Sequence, residues 1–217
     1  GIPCDGDAID AIAARHGLRV IYDAAPAFGV ECHCGSVLTH GDLSVLSFHA
    51  TKPFHTIEGG AVSSHDPEVH ARLGRLRNFG YSPTGELLDE GINAKLNELQ
   101  AALGLLQLPR FEAARAERAR LTALWHAGLA RIPGLTPLDP TVRARRPNYA
   151  YLPVRVDDEY PLSRDALWAW LRTQGVEPRR YYQPLVSGVG AAHAASAAGQ
   201  ANATDLASAA DLASAAD

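Results

Sequence analysis

LSVLSFHATK at residues 43–52, followed by EGGA at 58–61, decides how this chain folds. Leu43, Val45, Leu46 and Phe48 make the short apolar run of a buried strand, entered through Gly41-Asp42. The run stops abruptly and delivers Lys52 into a turn. Gly59 and Gly60 lie close behind, where the lack of a Cβ lets the backbone turn tightly. Upstream, residues 18–22 (LRVIY) form a second short apolar strand ending in Asp23, 29 residues before Lys52. Before that, residues 7–16 place Ile9, Ile12 and Ala13 at helical spacing, and Gly17 is a natural stop. Helix, turn and strand in succession predict an α/β fold with a largely parallel sheet flanked by helices.

Downstream, residues 61–64 read as a returning strand, and residues 67–78 as a helix with Asp66 as N-cap and Pro67 in its first turn. Residues 81–91 form a loop. A long helix is expected from Asn93, burying Leu96, Leu99, Leu103 and Leu106 on one face. Pro109 interrupts it, and residues 110–130 resume a helical pattern. The proline-rich stretch 132–147 is a connector. A second, small α/β unit follows, with a strand at 149–156, a helix at 164–174 and a short strand at 180–182. Trp125, Trp168 and Trp170 fall in helical patterns as packing residues. The expected organisation is a large-domain part over 1–110, a connecting helix over 111–131 and a small domain over 132–187. Over 188–217, where LASAAD occurs at 206–211 and again at 212–217, a low-complexity tail is expected, disordered or weakly docked.

Hydrophobic residues make up 47% of the chain and charged ones 20%, the balance of a soluble globular protein. A net charge of −4 argues against a nucleic-acid partner, and the one basic cluster, Arg143, Arg145 and Arg146, reads as a solvated loop. No apolar run is long enough to cross a membrane, and no signal-peptide pattern opens the chain. Three cysteines suit a reducing compartment better than a disulfide framework, so the cytoplasm is expected. The chain has no methionine and opens on GIPCD, which reads as the middle of a strand-to-helix connection; a fragment of something longer is expected.

Each candidate residue has an ordinary alternative. Lys52 alone is a solvated strand end, Asp23 a turn or cap residue, and Ser47 a serine bonding local backbone. Together they suit pyridoxal phosphate: an acid for its ring nitrogen, a hydroxyl for its phosphate, and an amine for its aldehyde. Cys32-His33-Cys34 with His40 hints at a metal, but the spacing lacks a second ligand pair and no metal is expected. His49 and His55 flank the lysine in packing or solvent contact.

The run from Ser47 to Lys52, then Glu58 to Ala61, resembles the DegT/DnrJ/EryC1/StrS family of sugar aminotransferases, which are fold-type-I pyridoxal-phosphate enzymes. Tyr22-Asp23-Ala24-Ala25, Arg77-Asn78-Phe79-Gly80 and the stretch 93–102 match further family motifs in order. The resemblance runs from Gly1 to about Ser187. It implies Lys52 as the Schiff-base lysine and proton shuttle, Asp23 on the ring nitrogen and Ser47 on the phosphate. It further implies a homodimer, in which Asn93 completes the neighbouring subunit's phosphate site; the ordinary reading of Asn93 is a helix N-cap. The implied reaction moves an amino group from glutamate or glutamine to a keto group of a nucleotide-linked sugar, in polysaccharide or amino-sugar biosynthesis.

Two departures stand out. Where the family has histidine or glutamine three residues after the aspartate, this chain has Pro26, which offers no side-chain donor. The family's N-terminal third is also missing, leaving exposed sheet edges. One rival is the family's pyridoxal-phosphate sugar dehydratase branch, which replaces the lysine with histidine and is therefore disfavoured by Lys52. Another is a catalytically incompetent fragment or non-enzymatic remnant, and the 217 residues alone are expected to be poorly active.

Overall fold

The structure is a computed structural model that describes residues 1–183 and Leu185. The expected tail at 188–217 lies outside the described residues. Helix α1 (Gly6–His16) starts on the Asp5 side chain, which accepts from the Ala8 amide, and stops at Gly17 in the left-handed region. Strand β1 (Ile21–Asp23) is shorter than expected and runs parallel to β4 (Leu43–Ser47), with Ile21 opposite Leu43 and Asp23 opposite Val45. Strand β5 (Gly60–Ser63) returns antiparallel to β4. Among the described residues the sheet order is β1-β4-β5, one parallel and one antiparallel pair, because the loop at 48–59, not a crossover helix, links its last two strands. Ile21, Val45 and Val62 leave its apolar surface exposed.

Between β1 and β4 lies a hairpin of β2 (Glu31–Cys32) and β3 (Gly35–Ser36). Its two-residue loop, His33-Cys34, folds Cys34 back onto Cys32, and the two form a disulfide with Cα atoms 5.4 Å apart. This corrects the reading of the cysteines as unpaired; Cys4 is the free one. Residues two apart in a flat strand would hold their sulfurs apart, so the bridge depends on the hairpin.

Helix α2 (Pro67–Leu76) begins on Asp66, whose carboxylate accepts from the Glu68 and Val69 amides. Helix α3 (Glu98–Gln107) starts five residues later than expected. Asn97, not Asn93, is its N-cap, accepting from Gln100 at 2.9 Å. The Asn-x-x-Gln spacing at 97–100 is a capping pattern that marks this start. The expected leucine face is not buried either: Leu99 is 85% and Leu106 67% exposed, while the helix packs through Gly104 toward Thr56 and Phe54. A 3₁₀ turn at Leu108–Arg110 holds Pro109 and leads into α4 (Phe111–Leu129). The presumed connector contributes β6 (Leu135–Pro137), paired with β7 (Val154–Val156), all that forms of the strand expected at 149–156.

Phe28, Phe48, Phe54 and Phe111 build the aromatic core, with Phe28 stacked on Phe54 at 4.2 Å and edge-on to Phe111 at 5.0 Å. The arginine cluster is not a solvated loop. Arg145 and Arg146 both bind Glu31, and Arg146 also binds Glu112 of α4, so they clamp the hairpin to the helix. Asn148, 1% exposed, donates to the carbonyls of Pro26 and Phe28 at 2.7 and 2.9 Å and accepts from the Ala150 amide. Asn148→Ala is expected to cost about 2–4 kcal/mol in urea denaturation, because it strands three half-buried backbone groups. A loss below ~0.5 kcal/mol would show that water substitutes for it.

Two compact units separate at Tyr160 and Pro161, whereas the sequence placed the boundary on the helix at 111–131. Helix α4 stays in the first unit because the arginine clamp and the β6–β7 pair tie the following residues back to it. In the second unit, α5 (Arg164–Thr173) starts on Ser163, and Trp168 donates to the Pro178 carbonyl beneath Arg180. Residues 180–182 form no strand. Trp125 and Trp170 are exposed rather than packed. No described helix is long and apolar enough to cross a membrane.

Candidate active site

Asp23 ends β1, Ser47 ends β4 and Lys52 follows in the next turn. Because β1 and β4 are parallel, all three leave the sheet at its carboxyl edge, where open α/β sheets bind ligands. Asp23 Oδ1 accepts from the Ala25 amide at 3.0 Å, the ordinary turn role, and leaves Oδ2 for a ligand. Ser47 Oγ likewise accepts from the His49 amide at 3.2 Å, which leaves its hydroxyl proton to donate. At both residues the structural role leaves a polar group open to a ligand. Glycine is required behind the lysine: a Cβ at Gly60 would lie 2.7 Å from the Leu46 carbonyl oxygen.

Lys52 is half-buried, and its Nζ lies 3.3 Å from the Tyr151 hydroxyl. Tyr151 carried no signal in the sequence, because the contact spans 99 residues and depends on Asn148 turning the chain back toward Pro26. A cavity of about 340 Å³ opens on the Asp23 side, lined also by Tyr22, Pro26 and Gly1. Tyr151 lines a separate hollow of about 30 Å³, which Gly1 shares. Asn93 is brought to neither. It sits exposed, bridged to Asn78. His49 bonds Thr51 two residues on, and His55 faces Gln107 of α3.

Residues 1–215 match the DegT/DnrJ/EryC1/StrS aminotransferase family. The chain belongs to that family. A dTDP-4-amino-4,6-dideoxy-D-glucose transaminase of Shigella dysenteriae is 44% identical over 186 residues, 86% of this chain and 50% of that protein. A transaminase of the same name from Escherichia coli is 36% identical over 188 residues, again 86% of this chain and 50% of that protein. DesI, crystallised in the presence of its TDP-sugar product, superimposes with a TM-score of 0.79 at 36% identity, covering 85% of this chain and 47% of its own. The chain thus spans about half the length of these relatives. Its α/β layer is part of a fold-type-I pyridoxal-phosphate transferase, as the family resemblance implied.

The residues present fit that cofactor. A carboxylate oxygen, a hydroxyl proton and a primary amine, all from one sheet edge, match its ring nitrogen, phosphate and aldehyde. Asp23→Asn separates the two roles of the acid. Asparagine keeps an oxygen for the Ala25 amide but loses the charge. In the longer protein to which these residues belong, the melting temperature is expected to hold while cofactor-dependent amino transfer drops roughly 10- to 100-fold, the range of a lost charge-assisted hydrogen bond. Equal activity in Asp23→Asn would remove Asp23 from the site.

Proposed function

We propose that the protein to which these residues belong moves an amino group, from glutamate or glutamine, to a keto carbon of a nucleotide-linked sugar. The observation that carries this reading is the departure of Asp23 and Lys52 from the same edge of one parallel strand pair. The named sugar transaminases among the relatives support the substrate class. When bound, pyridoxal phosphate supplies an aldehyde that takes up an amine and a protonated ring that accepts an electron pair.

Lys52 is the amine placed for that aldehyde, and as a base it moves the proton at the substrate carbon. Tyr151 holds Nζ by its hydroxyl, which limits the rotamers open to the lysine. Asp23 keeps the ring-nitrogen proton in place, and the Ser47 hydroxyl donates to the phosphate. Asn93 serves the phosphate of a neighbouring subunit in a homodimer; its exposure, beside the exposed Leu99 and Leu106, supports that assembly. The biosynthetic setting is amino-sugar or polysaccharide assembly.

Lys52 and Lys95 are the only lysines of this chain, so two side-chain amines compete for the aldehyde. Lys95 lies 4.3 Å over the Phe79 ring, a competing role for its charge. Incubation with pyridoxal phosphate, borohydride reduction and peptide mapping is expected to place the pyridoxyl group on Lys52. Labelling of Lys95 with Lys52 unmodified would overturn the reading.

A further inference from the structure

Outside the proposed catalytic residues, one cluster of soft donors stands out. The ligand atoms of Cys32, Cys34 and His40 all lie within 4.8 Å of one another. His40 Nε2 is 3.4 Å from Cys32 Sγ and 3.1 Å from Cys34 Sγ. Its other nitrogen, Nδ1, faces the Asp10 carboxylate at 3.5 Å. Four separate elements make this arrangement. The hairpin folds Cys34 onto Cys32, the 3₁₀ turn at Val37–Thr39 delivers His40, α1 supplies Asp10, and β1 places the Tyr22 ring edge-on to the imidazole at 6.3 Å. A Cβ on Gly6 would lie 2.9 Å from His40 Nδ1, so the imidazole is held from that side too. A disulfide by itself requires none of this. Two sulfurs facing one imidazole nitrogen, with a carboxylate behind the other nitrogen, is how proteins present and orient a histidine metal ligand.

We propose that the reduced Cys32–Cys34 pair and His40 bind a thiophilic divalent cation of the zinc class. Zn–S bonds of about 2.3 Å and Zn–N bonds of about 2.0 Å hold tetrahedral ligand atoms roughly 3.5 Å apart, close to the sulfur–nitrogen separations here. Only the sulfurs must part, and they do so when the disulfide is opened. A phosphine reductant with one water converts the disulfide to two thiols and is itself oxidised to the phosphine oxide. Cation binding then releases the two thiol protons. Three protein ligands leave a fourth position for water or a ligand group. Cys32 and His40 line the same cavity as Asp23, and Tyr22 Oη is buried without a hydrogen-bond partner among the described residues. The bridged form cannot bind, because its sulfurs carry no thiolate, so the site is gated by redox state.

Cobalt(II) is the probe. The whole chain, reduced with a phosphine and kept anaerobic, is titrated with Co²⁺. One equivalent is expected to give thiolate-to-cobalt charge-transfer absorption with the intense visible bands of tetrahedral cobalt, displaced by Zn²⁺. Cys34→Ser, at an exposed position, and His40→Gln are each expected to weaken binding 10-fold or more, while Cys4→Ser leaves it unchanged. Asp10→Asn, a positioning change, is expected to weaken affinity about 10- to 100-fold while keeping the charge-transfer spectrum. X-ray absorption of the zinc-loaded wild type, which depends on no variant, is expected to count two sulfurs and one imidazole. The proposal is overturned by an octahedral, sulfur-free cobalt spectrum, by equal binding to the unreduced chain, or by loss of binding in Cys4→Ser. None of these readouts depends on amino transfer.

Discussion

In Lys52→Arg of the longer protein to which these residues belong, amino transfer is expected to fall by about 10³-fold or more, and the borohydride-trapped pyridoxyl label is expected to leave position 52 entirely. The substitution is chosen because it preserves much of what a structural lysine would do. The charge stays, and a guanidinium can still reach the Tyr151 hydroxyl that Nζ now meets at 3.3 Å. What arginine cannot do is lose its proton near neutral pH, so it offers neither a nucleophilic lone pair nor a base. If Lys52 were merely a solvated strand end, Lys52→Arg would keep more than a tenth of the activity, and that result would sink the assignment. Unchanged far-ultraviolet circular dichroism in the variant ties the loss to chemistry rather than to folding.

Gly80→Ala is the second large effect, and it acts through the backbone. Gly80 has φ +87°, and a Cβ built there would collide with the Asp89 carbonyl oxygen. The surroundings cannot yield easily. The Gly80 carbonyl accepts from the Leu88 and Asp89 amides at 3.0 and 3.2 Å, and its amide donates to Arg75 at 2.9 Å. The Asp89 side chain is held by Arg75 at 2.5 Å and Arg72 at 3.2 Å, and Arg75 lowers its carboxyl pKa below the usual carboxylate range. Those ion pairs therefore persist until pH falls through that lowered value. A loss of at least about 2–3 kcal/mol in urea denaturation is expected, the cost of a forced positive φ plus a steric clash. The same displacement reaches Asn93, because Phe79 donates to the Ile92 carbonyl at 3.0 Å and Ala94 to that of Arg77 at 2.9 Å. A Gly80→Ala protein as stable as the parent would show that the 76–94 loop relaxes freely.

Much of the local structure was legible because local chemistry determines it. Asp66 and Pro67 start α2, Gly17 ends α1 and Pro109 breaks the α3–α4 run, each through a bond or a φ angle set within four residues. Helix α3 starts at Glu98, where the Asn-x-x-Gln pattern at 97–100 caps it, rather than at Asn93. The buried leucine stripe went wrong for a different reason. Periodicity shows that a helix has an apolar face, but not whether this chain supplies the surface that covers it, and Leu99 and Leu106 remain open.

Short-range pattern and residue chemistry are enough to read the strand–turn–lysine motif, the acid 29 residues upstream and the family to which they belong. Tertiary structure alone decided what meets across the fold. It put Tyr151 on Lys52, turned the arginine cluster into a clamp on Glu31 and Glu112, and closed Cys32 on Cys34 beside His40. Each of these depends on where a loop returns in space, which is set by the summed packing of the aromatic core and buried groups such as Asn148 rather than by any one stretch of residues.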